Sequence, residues 1–101
     1  MGSRVELQST LEKLLGSRNV YYQPPETLKM QYPAIVYNKS YVKLDHADDT
    51  TYNKRVRYEL IVIAQRPDHP VVNKLLDVPY CSYERHFNSD NLNHDVLTLY
   101  Y

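Results

Sequence analysis

The sequence predicts an α+β fold: a single domain, mainly antiparallel β-sheet, with an N-terminal helix and a short second helix packed on one face. Three observations predict it. Residues 33–44 and 52–65 alternate side-chain character with the period of two that marks a strand. Leu7, Leu11, Leu14 and Leu15 fall instead at helical spacing and make one apolar stripe. The connections are short and turn-rich, so strands join as hairpins with helices laid against them.

The first helix can be capped by Ser3, with Glu6 three residues later completing a capping box. Gly16 ends it, because glycine takes the left-handed conformation of a helix C-terminus without penalty. Val20, Tyr21 and Tyr22 form a short extended piece. Pro24 and Pro25 then enforce an irregular link, since each fixes φ and lacks a donor.

Pro33 opens the first long strand. Ile35, Tyr37, Lys39, Tyr41 and Lys43 are expected on one face, with Ala34, Val36, Asn38, Ser40, Val42 and Leu44 on the other. The polar run of residues 45–51 reads as a connection. In the second long strand Tyr52, Lys54, Val56, Tyr58, Leu60, Val62 and Ala64 share a face, and Asn53, Arg55, Arg57, Glu59, Ile61, Ile63 and Gln65 share the opposite one. That second face turns from charged to apolar near Ile61, so the strand runs from an exposed arm into a site buried on both sides.

A second helix follows, with Asp68 or His69 as its cap and Pro70 in its first turn. Val71, Val72, Leu75 and Leu76 are its expected buried face, and Pro79 closes it. Residues 80–87 alternate again, Cys81, Tyr83, Arg85 and Phe87 against Tyr80, Ser82, Glu84 and His86. Asn88, Ser89, Asp90 and Asn91 form a turn cluster, and residues 94–101 are the last strand.

A chain of 101 residues is one domain, 1–101, with a single modest core. Lys and Arg number 12 and Asp and Glu number 12, a balance that argues against a general nucleic-acid binder and favours association. Cys81 is the only cysteine, so no internal disulfide is possible and a reducing compartment fits. No apolar run stands behind the first residues, so no signal peptide is expected. No apolar stretch approaches the roughly 20 residues that span a bilayer. Two glycines leave no material for a phosphate-binding loop.

Candidate chemistry is sparse. His86, Asp90, His94 and Asp95 could converge across the last hairpin on a divalent metal. Their spacing matches no close-packed ligand motif, and turn and surface polarity explains them as well. Asp45, His46, Asp48 and Asp49 form the densest acidic patch. It lacks the Gly and Glu of a calcium loop and reads as a solvated connection or a docking loop. Cys81 and His86 lie too far apart along a strand for a nucleophile and its base. Lys54, Arg55 and Arg57 suggest a nucleic-acid contact or, as overall neutrality favours, a solvated strand face. No catalytic residue, metal or cofactor is expected.

The choice of aromatic is lopsided: 11 Tyr, one Phe and no Trp. Tyr joins an apolar ring to a polar tip and suits a surface buried against a partner. Half of these rings are expected in the core and half against partners. The expected subunit or partner interface comprises Tyr37, Tyr41, Asp45, Asp48, Asp49, Tyr52, Lys54, Arg55, Arg57, Tyr58 and Tyr83. The hairpin around residues 45–51 is expected to project beyond the domain body, since strands commonly run about five or six residues and these run longer.

The order of elements, with the stretches LEKLLGSRNVYYQPP (residues 11–25) and RHFNSDNLNHD (residues 85–95), resembles the small neck proteins of tailed bacteriophages, in particular the tail-completion or tail-terminator group. The resemblance runs from about Leu11 to Tyr101. It implies an α+β structural protein of the virion, without enzymatic activity. Such a protein forms a homo-oligomeric ring, usually of six subunits, that caps the tail tube and joins it to the head connector. The implied partners are further copies of the chain, the tail tube protein and head connector proteins, with no membrane and no sequence-specific nucleic acid. The implied location is the neck of the virion, after assembly in the host cytoplasm. The chain is shorter than many tail terminators, which leaves open a head-side connector or stopper role. A small monomeric protein-binding module is the alternative from another class.

Overall fold

The computed structural model describes residues 4–47 and 50–101, with side chains described for residues 4–40 and 56–101. Along the chain run α1 (Arg4–Leu15), β1 (Val20–Tyr22), β2 (Ala34–Ala47), β3 (Thr50–Ala64), α2 (Pro70–Leu76), β4 (Cys81–Ser89) and β5 (Leu92–Tyr100). The strands form one sheet in the order β1-β2-β3-β5-β4. β1 runs parallel to β2, and every other neighbouring pair is antiparallel. This is the α+β architecture that the hydrophobic periodicities predict.

Both helices cover the same face. Leu7 and Leu11 of α1 and Val71, Val72 and Leu75 of α2 pack with Val20, Ile35, Tyr37, Tyr58, Leu60, Val62, Leu97 and Leu99 of the strands. Full burial of each such side chain contributes about 2 kcal/mol. Leu14 and Leu15 pack at the margin of this cluster rather than inside it. Leu76 is exposed, not buried as its helical spacing suggests. The opposite face carries a second apolar strip, in which Ala34, Val36, Ile63 and Val96 are buried. β3 is therefore apolar on both sides from Ile61 onward.

Local chemistry sets the ends of the elements. Gly16 lies at φ +82°, and its N–H bonds to the Glu12 carbonyl, closing α1. His69 caps α2: its Nδ1 accepts the Val71 N–H at 3.1 Å, and Pro70 follows in the first turn. Ser3 lies outside the described residues, so the capping box of α1 is not described.

Three register shifts separate the observed strand faces from simple alternation: one at Ser40 in β2, one between Asp45↔Asn53 and His46↔Thr51 that skips Tyr52 in β3, and one in β4. In β2 the register passes from Lys39↔Tyr58 to Tyr41↔Arg57, leaving Ser40 without a partner position. Positions 35 and 37 are in phase with Val62 and Leu60, but positions 41 and 43 are in phase with Arg57 and Arg55. The expected continuous face from Ile35 to Lys43 therefore breaks at Ser40. The Ser40 hydroxyl fills the gap in the ladder: it donates to the Arg57 carbonyl at 3.0 Å and accepts from Arg57 Nε at 3.1 Å. In β4 the register passes from Tyr83↔Leu97 to Arg85↔Val96. Cys81 and Tyr83 thus share the helix-covered side with Leu99 and Leu97, while Arg85 and Phe87 fall on the other.

The strands run further than the polar residues at their ends suggest. β2 continues to Ala47 and β3 starts at Thr50, so most of the expected connection of residues 45–51 is strand. The last hairpin closes with Asp90 and Asn91 alone, both at positive φ (54° and 62°). That is the signature of a type I′ turn, whose twist matches that of the strands it joins. β4 accordingly extends to Ser89, and β5 begins at Leu92.

Candidate assembly surface

The sheet has a body and an arm. β1 leaves β2 at Tyr37, and β5 leaves β3 at Arg57. The Tyr101 N–H still reaches the Val56 carbonyl at 3.0 Å, and beyond it, from Lys43↔Arg55 to Ala47↔Thr50, β2 and β3 pair only with each other among the described residues. The two-stranded arm expected from strand length is present in the ladder. Tyr41, Asp45, Tyr52, Lys54 and Arg55 all lie on it, and their side chains lie outside the described residues. Asp48 and Asp49 lie outside the description altogether. Arg57 sits at the base of the arm, bound to Ser40.

Two of the expected interface tyrosines belong to the core. Tyr37 is 0% exposed and Tyr58 4%. Their rings meet edge to face at 5.9 Å, and Tyr22 lies against Tyr37 at 4.8 Å. Burial was possible because α1 supplies partners for the buried polar tip. The Tyr37 hydroxyl donates to Gln8 Oε1 at 2.5 Å and accepts from Arg4 at 3.3 Å. Gln8 also donates to the Val20 carbonyl at 3.0 Å, and the Arg4 guanidinium lies over the Tyr22 ring at 4.6 Å. Burial pushes the phenols of Tyr37 and Tyr58 above their ordinary range.

Tyr83 is at the surface, 45% exposed, on the edge strand β4. Its hydroxyl donates to Oδ1 of Asp95 at 2.8 Å. Asp95 is the one buried charged side chain among the described residues. That hydrogen bond to a carboxylate raises the Tyr83 phenol, because it favours the protonated hydroxyl. Tyr83 and Asp95 line a cleft of about 300 Å³ together with Asp68, His69, Val72, Asn73 and Leu76.

The four residues considered as a metal set are scattered. His94 stacks on Phe87 at 4.6 Å on the side away from the helices, Asp95 turns to Tyr83, and His86 meets Asn93 at 3.2 Å. Among the described residues no group of three His, Cys, Asp or Glu is placed to hold a metal ion. The bulge in β4 brings Cys81 and His86 to the same face, contrary to simple alternation. Their partners Leu99 and Asp95 are four residues apart, about 13 Å along the strand, beyond hydrogen-bond reach. Burial also pushes the Cys81 thiol up to about 11, which leaves it protonated at neutral pH.

The feature that alternation alone does not reveal is the pair of open sheet edges. β4 is an edge strand of nine residues, and Ser82 through Ser89 are all exposed. Its sequence does carry a signal, since Ser82, Glu84, Arg85, His86 and Asn88 place polar groups on both faces. At the far end of the sheet β1 covers only Ile35 to Tyr37 of β2. The Gln23 side chain accepts from the Lys39 N–H at 3.3 Å, and past it no strand lies beside β2 on that side among the described residues.

No protein-family model matches the chain, and no curated protein matches its sequence. No helix is long and apolar enough to cross a membrane among the described residues.

Proposed function

We propose that the chain is a structural protein that assembles with itself into a ring at the neck of a tailed bacteriophage, capping the tail tube and joining it to the head connector. The observation that carries this reading is the β2–β3 arm, which leaves a five-stranded body and, among the described residues, pairs with no other strand. A protruding hairpin adds little to the stability of one domain, since a lone two-stranded ribbon is marginal in water. It acquires a purpose when it lies against a neighbour. The resemblance of residues 11–25 and 85–95 to tail-completion proteins supplies the kind of assembly. Zero net charge and exposed rings at Tyr80, Tyr83 and Phe87 are consistent with association.

The test is the mass and shape of the purified full chain. Light scattering across a concentration series, followed by negative-stain microscopy, should show a closed ring of defined copy number, alone or after addition of tail tubes. A chain that stays monomeric at high concentration and ignores tail tubes is a binding module instead.

A further inference from the structure

We propose that the cleft between α2 and the β4–β5 edge binds the side chain of an arginine presented by another protein molecule. The inference stands apart from the ring reading, since a ring can form whether or not the cleft takes a guest. It rests on an unmet demand at Asp95. This side chain is 8% exposed, and an ionised carboxylate offers about four acceptor positions. Among the described residues one donor reaches it, the Tyr83 hydroxyl at 2.8 Å on Oδ1. No fully enclosed side-chain oxygen of the described residues lacks a partner, so Oδ2 keeps access to the cleft that Asp95 lines. A carboxylate so nearly enclosed is costly unless a cation or further donors meet it. None of the residues lining the cleft is Lys or Arg.

The lining selects the guest. Asp68 brings a second carboxylate to the same cleft, and its charge adds to the rise of the Tyr83 phenol that the hydrogen bond to Asp95 chiefly causes. Two negative groups around about 300 Å³ favour a cation, and that volume, at the lower end of ligand pockets, suits a single side chain. Val72 and Leu76 add apolar lining. Leu76 is 38% exposed, against the burial that its helical spacing suggests, and so offers a contact to the stem of a long basic residue. The Tyr83 ring, 45% exposed, offers a face on which a planar guanidinium stacks. A guanidinium also carries its donors in a fixed fork, which suits a carboxylate with acceptor positions to spare. An ammonium is a compact, strongly hydrated charge and enters such a site less readily. A metal ion is the poorer guest, because among the described residues no three His, Cys, Asp or Glu are placed to hold one.

An NMR titration of the nitrogen-15-labelled full chain, at the lowest workable concentration, tests this. The probe is Nα-acetyl-L-arginine methylamide. The control is its citrulline counterpart, which has nearly the same shape without the charge. The arginine probe should give saturable shifts at amides within residues 68–76 and at 83 and 95, and the control should not. Asp95→Asn keeps an acceptor for Tyr83 and should weaken the probe about tenfold or more. Asp68→Asn, at an exposed position, should weaken it about twofold. No saturable shift, an equal response to the citrulline compound, or affinity unchanged in both variants overturns the proposal. Should Asp95→Asn fail to fold, Asp68→Asn and the citrulline control still decide. A dilution series without probe names the source. Shifts at the same amides that grow with protein concentration and are reversed by the probe assign the arginine to a second copy. Their absence while the probe binds assigns it to a different protein, and either result supports the cleft. A ring that fails to form leaves the probe's shifts expected all the same.

Discussion

The hydroxyl of Tyr83 donates a 2.8 Å hydrogen bond to Oδ1 of Asp95, tying the edge strand to the strand beside it. Asp95 is 8% exposed, and Tyr83 keeps 45% of its surface in water. The pair therefore joins a buried charge to an accessible ring at the edge of the sheet.

Replacing Tyr83 with Phe keeps the ring and removes the donor. Asp95 then loses a partner within a nearly closed environment, which should lower unfolding free energy by about 1 kcal/mol. Urea denaturation of the dilute chain measures this. A midpoint equal to that of the parent would mean that water replaces the hydroxyl at no cost.

Tyr37 should behave as a core residue. Tyr37→Ala removes a fully buried ring and should cost about 3–5 kcal/mol, enough to threaten folding of so small a domain. Tyr37→Phe should cost about 1 kcal/mol, because Gln8 and Arg4 lose their shared partner. Thermal melts of the two variants rank them. Equal melting temperatures of the two would contradict the buried ring, and a Tyr37→Phe melt equal to the parent's would contradict the hydrogen-bond network.

Stability should fall at alkaline pH. Desolvation raises Tyr37 and Tyr58 above the ordinary 10.0, so the folded state holds these protons more tightly than the unfolded chain. Their contribution is complete below pH 10 and is lost as pH rises through the folded-state values. The parent should lose more unfolding free energy between pH 9 and 11 than the double Phe variant of Tyr37 and Tyr58. Identical losses would show that these two phenols do not govern the effect.

The type I′ turn gives a local test. Asn91 sits at φ 62°, where a Cβ is disfavoured unless the side chain bonds locally. Asn91→Ala should destabilise by about 1 kcal/mol, whereas Asn91→Gly should not. A chevron or simple urea titration of both variants decides it.

Replacing residues 45–51 with Asn-Gly should leave the domain folded, since the described residues of this stretch pair only within the arm. The melting temperature of the monomer should shift by a few degrees at most, while assembly and docking on tail tubes should fail. Phage carrying the deletion that still join heads to tails normally would remove the arm from the mechanism.

Much of this architecture is legible in the residues. The stripe at Leu7 and Leu11, the glycine at 16, the His69-Pro70 start and the apolar run of β3 each follow from a local rule. The bulges at Ser40 and in β4 do not, because Lys39-Ser40-Tyr41 and Tyr83-Glu84-Arg85 alternate as well with a bulge as without one. The ends of the arm strands are obscured for a related reason: a solvent-facing strand and a loop draw on the same polar residues. Tyr37 and Tyr58 show a third limit. A tyrosine suits a core and an interface equally, and what places Tyr37 inside is Gln8, 29 residues away. The interface residues on the arm can be named from sequence, but what they touch is a property of a second molecule.

Ser40 has a consequence for how this protein can change over generations. A strand has a strict period of two, so one residue inserted or removed at that point would turn the whole arm over while Ile35, Tyr37 and their neighbours stayed where they are. The hinge-point thus acts as a clutch between body and arm: the packed half keeps its constraints, and the outer half can exchange one set of side chains for another in a single step.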